Sequence, residues 1–212
     1  MSKIKAIVFD WDGVIVDSMP MIARGIQETA ISYGVQISAD KILSTYFQPK
    51  EEFYKSIGIK VKDMAELNAR HTSTLNKYSI DPKLFDDVVS TLKHLSDEGL
   101  TLGIASHQKT PDVQGDIDAR GLRGFFAIEN ALGGEVRKEQ KLLLLAKKFG
   151  VAPNELLFVG DLPSDIQAAK KAGVKSAGIS RNDTGKARLE AEKPDYLLHS
   201  LSDLLKIVYS KN

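Results

Sequence analysis

The sequence predicts an α/β fold, doubly wound around a mainly parallel sheet, with an α-helical domain inserted. Three observations predict it. Near-continuous apolar runs at 4–9 (IKAIVF), 100–105 (LTLGIA) and 156–160 (LLFVG) read as strands buried on both faces of a parallel sheet. Helical stripes alternate with these runs. About ninety residues separate the first run from the second, whereas a crossover needs roughly a dozen or a little more.

Taken in order, the first run ends in Asp10 and the insert follows. Met19, Ala23, Ile26, Ala30 and Tyr33 fall at helical spacing, with Gly34 after them. Met64, Leu67, His71, Leu75 and Tyr78 do the same, and shorter pieces around Ile42–Phe47 and Phe53–Ile57 fit between. These predict about four helices over 18–84, capped at the start by Asp17 or Ser18. The α/β core is then 1–17 with 85–212. Phe85, Val88, Leu92 and Leu95 form the next stripe, closed by Gly99. The second run ends in Ser106, and Thr110-Pro111 opens a helix with Pro at its first position. Leu142, Leu145, Ala146 and Phe149 precede Gly150; the third run ends in Asp161; Ser164 to Gln167 fits a capping box before a helix ending at Gly173. Weaker strand signals lie at Phe125–Ile128, Ser176–Ile179 and Tyr196–Leu198, and a last helix starts at Ser200.

The chain has 212 residues, no cysteine and a formal net charge of +1. Disulfides, thiolate catalysis and cysteine-held metal centres are excluded. The charge balance gives no footprint for nucleic acid or an anionic membrane. No apolar run reaches the length of a membrane span. The opening residues show no signal-peptide pattern, so a cytoplasmic location is expected.

The most informative stretch is Asp10-Trp11-Asp12-Gly13-Val14-Ile15-Val16-Asp17-Ser18. Two unit charges about 4 Å apart repel by roughly 4 kcal/mol at an effective dielectric near 20. Such a pair calls for a bound cation, a shared proton or a chemical task. In open α/β sheets ligands bind beyond the carboxyl ends of the strands, where Asp10, Ser106 and Asp161 would build a polar, acidic site. Trp11 is expected to pack apolar surface beneath it. His107 adjoins Ser106; His71, His94 and His199 show no metal-ligand spacing.

These residues resemble the haloacid dehalogenase-like superfamily over nearly the whole chain. Its first motif, Asp-x-Asp-Gly-x-x-x-Asp-Ser, is met by Asp10 to Ser18; its second by Ser106; its fourth, Gly-Asp-x-x-x-Asp, by Gly160 to Asp165. The insert is similar to the cap of the phosphoglycolate phosphatase-like and β-phosphoglucomutase-like branch. The third motif departs from pattern. Where that branch has Lys-Pro, this chain reads Gly133-Gly134-Glu135-Val136-Arg137-Lys138-Glu139-Gln140-Lys141. Lys138 is the assigned phosphate-binding lysine, with Arg137 and Lys141 as open alternatives.

The resemblance implies a Mg²⁺-dependent phosphatase acting on a small phosphorylated metabolite. Asp10 would be the nucleophile that forms an aspartyl-phosphate, and Asp12 the general acid and base. Mg²⁺ would be held by the Asp10 carboxylate, the Asp12 main-chain carbonyl and Asp161, with Asp165 behind them. Ser106 and Lys138 would hold the phosphoryl oxygens. The insert would act as a lid. Taken singly, Asp165 also reads as a first-turn carboxylate, Ser106 as a strand-end hydroxyl and Lys138 as a solvated lysine. Arg24 and Gln48–Glu51 read as solvated surface or as substrate contacts. A sugar phosphomutase, or a non-catalytic binding protein on the same fold, are the alternative functions. A monomer or homodimer is expected.

Overall fold

A computed structural model of the chain describes residues 3–60, 64–77, 81–134, 136–181 and 183–209. It divides into two compact units, Met1–Ile15 with Leu84–Asn212, and Val16–Lys83.

The Val16–Lys83 unit is helical: α1 (Met19–Ser32), α2 (Ala39–Thr45), α3 (Lys50–Ser56) and α4 (Met64–Lys77). The spacing of Ala23, Ile26 and Ala30 buries one face of α1, which packs along α2 and α4. Phe53 is the hub of an aromatic cluster, edge-on to Tyr46 (ring centroids 5.2 Å apart) and Phe47 (5.7 Å). Ser18 stands at the N-cap of α1. Leu67 of the second predicted stripe is fully buried. Tyr78, and the side chains of Met64, His71 and Leu75, lie outside what is described.

In the other unit the described strands are β1 (Ala6–Phe9), β2 (Thr101–Ala105), β3 (Ala131–Leu132), β4 (Leu156–Gly160), β5 (Lys175–Ile179) and β6 (Tyr196–Leu198). They form one sheet in the order β3-β2-β1-β4-β5-β6, every pair parallel. The helices are α5 (Val88–Asp97), α6 (Thr110–Ala119), α7 (Lys138–Phe149), α8 (Pro163–Ala172), α9 (Asp183–Ala191) and α10 (Asp203–Tyr209). β1 lies at the centre with both faces covered, which is why its sequence is apolar without alternation. Ala6 and Val8 join Leu156 and Phe158 of β4, Leu142 and Leu145 of α7 and Ala169 of α8 in one buried cluster. Phe9 meets Phe126 edge-on, centroids 6.1 Å apart. Each fully buried Val, Leu or Phe among them contributes about 1.5–3 kcal/mol.

The chain walks outward from β1 to β3, then from β4 to β6 on the other side of β1. The carboxyl ends of β1 and β4 therefore flank the point where the winding reverses, the place where ligands bind in open α/β sheets. Phe9 is level with Ile104 and Val159, so Asp10, Ser106 and Asp161 leave the sheet along one edge.

Three local expectations change, and one helix is added. Phe125–Ile128 is not a strand: Phe125 and Phe126 donate back to the Leu122 carbonyl (2.9 and 3.1 Å) in a turn, and the strand follows at Ala131–Leu132. The apolar run there reports burial of Phe126, not extension. Helix α8 starts at Pro163, with Leu162 rather than Ser164 at the N-cap; Asp165 reaches back to accept the Leu162 N–H (3.0 Å). Helix α10 starts at Asp203, whose carboxylate accepts the N–H of Ser200 (3.1 Å) and His199 (3.0 Å). Helix α9 gave no apolar stripe, because Leu189 alone among its described side chains is fully buried.

Candidate active site

Asp10, at the end of β1, is fixed through both carboxylate oxygens. Oδ1 accepts the Trp11 N–H (2.8 Å) and Oδ2 accepts Lys138 Nζ (2.7 Å). Lys138 is the first residue of α7, and its ammonium also donates to Asp165 Oδ1 (2.6 Å). The other Asp165 oxygen is the one that caps α8. Asp165 therefore holds the helix start with one oxygen and meets Lys138 with the other. Carboxylate oxygens of Asp10, Asp161 and Asp165 all lie within 4.8 Å of one another.

Gly13 explains how the first motif closes on β4. Its φ is +75°, a conformation that side chains disfavour, and a Cβ there would overlap the Asp161 carboxylate. Glycine is what lets the turn after Asp12 approach Asp161. Gly133 plays a similar part between two loops, since a Cβ there would collide with backbone of Gln108 and Thr110.

Burial raises the pKa of Asp10 against the opposing charge of Lys138. It raises Asp165 in the same way. Asp161 rises well above the usual carboxylate range, through burial and the charges of Asp165 and Asp10. Burial works against the Lys138 ammonium too, but the two carboxylates more than offset it and its pKa goes up. Three carboxylates and one ammonium leave two negative charges uncompensated. A hard divalent cation answers both that charge and the all-oxygen donor set, so the residues present fit Mg²⁺. Asp161, whose charged form is the least answered by protein, is where that demand is strongest.

The other expected residues are placed as follows. Ser106 is fully buried at the end of β2, and its Oγ accepts the Gln108 N–H (3.0 Å). The Asp12 carboxylate accepts Gln108 Nε2 at 3.1 and 3.3 Å. Of the three candidate cations, Lys138 alone bonds Asp10 in the described structure. Lys141 is buried, and its Nζ donates to the carbonyls of Ser106 (2.6 Å) and Gly134 (2.8 Å). Arg137 is exposed and pairs with Glu139 (3.2 Å). Trp11 is fully buried, and its indole N–H also donates to Asp116 (3.2 Å). His107 is exposed. Arg24 of α1 pairs with Glu28 (3.7 Å).

Sequence reasoning missed Gln108 and Arg188. The latter is half-buried on α9, where burial lowers its pKa and the Asp161 charge offsets part of that. Neither lies in a motif, and α9 itself carried no periodic signal.

A family model described as haloacid dehalogenase-like hydrolase matches residues 7–179. The chain belongs to this family. A phosphoglycolate phosphatase of Escherichia coli (strain K12) is 30% identical over 232 residues, covering 95% of this chain and 91% of that one. Among solved structures, a predicted phosphoglycolate phosphatase from Haemophilus somnus is 26% identical with a TM-score of 0.76, covering 98% and 99%. A haloacid dehalogenase-like family protein from Streptococcus pneumoniae has the same fold (TM-score 0.82, 23% identity, covering 98% and 99%). The expected enzyme class, a phosphoric monoester hydrolase, agrees with the family and with the phosphatase names of these relatives. No helix among the described residues is long and apolar enough to cross a membrane.

Proposed function

We propose that this hydrolase is a Mg²⁺-dependent phosphatase that cleaves a small phosphomonoester through an aspartyl-phosphate on Asp10. The observation that carries the reading is the meeting of Asp10, Asp161, Asp165 and Lys138 at one sheet edge, with net negative charge for a cation to neutralise.

An Asp10 carboxylate oxygen attacks phosphorus and the ester P–O bond breaks. Asp12 gives its proton to the departing oxygen, which leaves as an alcohol. Asp12, now ionised, takes a proton from water as that water attacks phosphorus. Inorganic phosphate and free Asp10 carboxylate result. Lys138 and the Ser106 hydroxyl stabilise the charge on the transferring phosphoryl oxygens. Asp10, the Asp12 carbonyl and Asp161 would hold Mg²⁺, with Asp165 steadying the set through Lys138. Bound there, Mg²⁺ supplies the charge neutralisation that lets an anionic nucleophile approach an anionic ester. The unit Val16–Lys83, which interrupts the chain just after the first motif, is assigned the exclusion of water and the choice of leaving group.

The test is a panel of phosphorylated metabolites assayed with and without Mg²⁺, headed by phosphoglycolate, the substrate in the relatives' names. Inorganic phosphate released only with Mg²⁺, and lost in Asp10→Asn, is the expected result. Wild-type turnover in Asp10→Asn contradicts the mechanism, and an isomerised sugar phosphate as product contradicts the phosphatase.

A further inference from the structure

Gln108 lies two residues beyond Ser106, and its side chain crosses to Asp12, 96 positions earlier in the chain. Asp12 offers an acceptor oxygen whether ionised or protonated, so the amide nitrogen of Gln108 can face it in both states. Nε2 lies 3.1 Å from one carboxylate oxygen and 3.3 Å from the other, a single donor shared across both. The backbone beneath is pinned on two sides. Gln108 N–H donates to Ser106 Oγ (3.0 Å), and its carbonyl accepts the Gly134 N–H (2.5 Å). The half-buried side chain thus reaches Asp12 from an anchored backbone.

We propose that Gln108 is a positioning residue that fixes the plane of the Asp12 carboxyl group. The proposal rests on the reading of Asp12 as the general acid. In the first step a bond forms between Asp10 and phosphorus, the ester P–O bond breaks, and the Asp12 proton moves to the leaving oxygen. That proton must arrive along a defined line, and small misplacements of a catalytic group cost large factors in rate. Gln108 supplies one neutral donor, which orients the carboxyl without contributing charge to a crowded acidic site. The Ser106 hydroxyl and the Asp12 carboxyl thereby share one rigid segment.

The closing experiment reads leaving-group dependence. For a series of aryl phosphates from para-nitrophenyl to phenyl, kcat/KM reports the first step. A stable phenolate leaves without a proton; a basic one needs Asp12. Asp12→Asn is expected to steepen the dependence of rate on leaving-group basicity. Gln108→Ala, and Gln108→Met as a shape-preserving second variant, are expected to steepen it in the same direction. Their loss is about 10- to 100-fold on phenyl phosphate, at or below the low end of what general acid catalysis contributes, and under about threefold on para-nitrophenyl phosphate. Steepening in Asp12→Asn with parallel, unsteepened lines in both Gln108 variants overturns the positioning role alone. No steepening in Asp12→Asn overturns the acid assignment and this inference with it. A uniform drop across the series marks Gln108 as merely structural and counts against the proposal.

Discussion

Lys138 and Lys141 lie one turn apart on α7, both buried, in opposite surroundings. Lys138 faces two carboxylates, and its pKa rises despite burial. Lys141 faces two main-chain carbonyls; burial and the nearby Lys138 charge push it down to about 8. Carboxylates answer an ammonium's charge, while carbonyl dipoles answer only its hydrogen-bonding capacity. The lysine paired with charge belongs to the electrostatics of the acidic site. The lysine paired with dipoles ties the Ser106 segment to Gly134 and shapes the loop. One helix turn thus separates a lysine set among carboxylates from a lysine set among carbonyls.

The comparison can be broken at the Lys138 end first. Asp10→Asn removes the nucleophile while keeping a partner of similar shape, and turnover of an aryl phosphate is expected to fall by about 10⁴-fold or more, the scale seen when a covalent nucleophile is lost. Next, Lys138→Met should lower kcat by about 10²- to 10³-fold, since an oxyanion-stabilising donor is gone. It also leaves buried carboxylates uncompensated, at about 3–5 kcal/mol of stability. Urea denaturation should show that loss, and added Mg²⁺ should recover part of it, whereas Lys141→Met should show no such recovery. Lys141→Met should cost about 1–3 kcal/mol through two unsatisfied carbonyls and leave kcat within about tenfold of wild type. If Lys141→Met were the more damaging to kcat, the division between the two lysines would be reversed.

A further expected effect is in pH. The Lys141 pKa is lowered to about 8 from an ordinary 10.5. Between those values the unfolded chain binds the proton more readily, so this group makes stability rise with pH across that window. Lys138 has the opposite sign. Its native pKa is raised, so its stabilisation is complete below 10.5 and is lost only as pH climbs through the native value. Wild type minus Lys141→Met, followed by denaturant midpoints from pH 8 to 10.5, should grow in favour of wild type. A flat difference would contradict the assigned environment of Lys141.

Much of this was legible in the chain. Buried parallel strands are contiguous apolar runs, so Asp10, Ser106 and Asp161 could be assigned to one sheet edge before any coordinates. The choice among Arg137, Lys138 and Lys141 was not legible. All three are cations within five residues, and residues 138 and 141 share a helix face; what separates them is whether carboxylates or carbonyls lie opposite, which spacing along the chain does not encode. Gln108 was invisible for a similar reason: its link to Asp12 depends on how two loops meet. The strand expected at Phe125–Ile128 failed because aromatic content marks burial, and Phe126 is buried from a turn. Helix α9 went unseen because a mostly polar helix leaves no stripe.

The proposed mechanism requires Asp10 to accept a phosphoryl group. Rapid acid quench during turnover, followed by borohydride reduction and peptide mass analysis, reads that group directly. Homoserine at position 10, formed only when substrate and Mg²⁺ are both present, is the predicted result. Phosphate released at full rate with Asp10 unmodified throughout would contradict it.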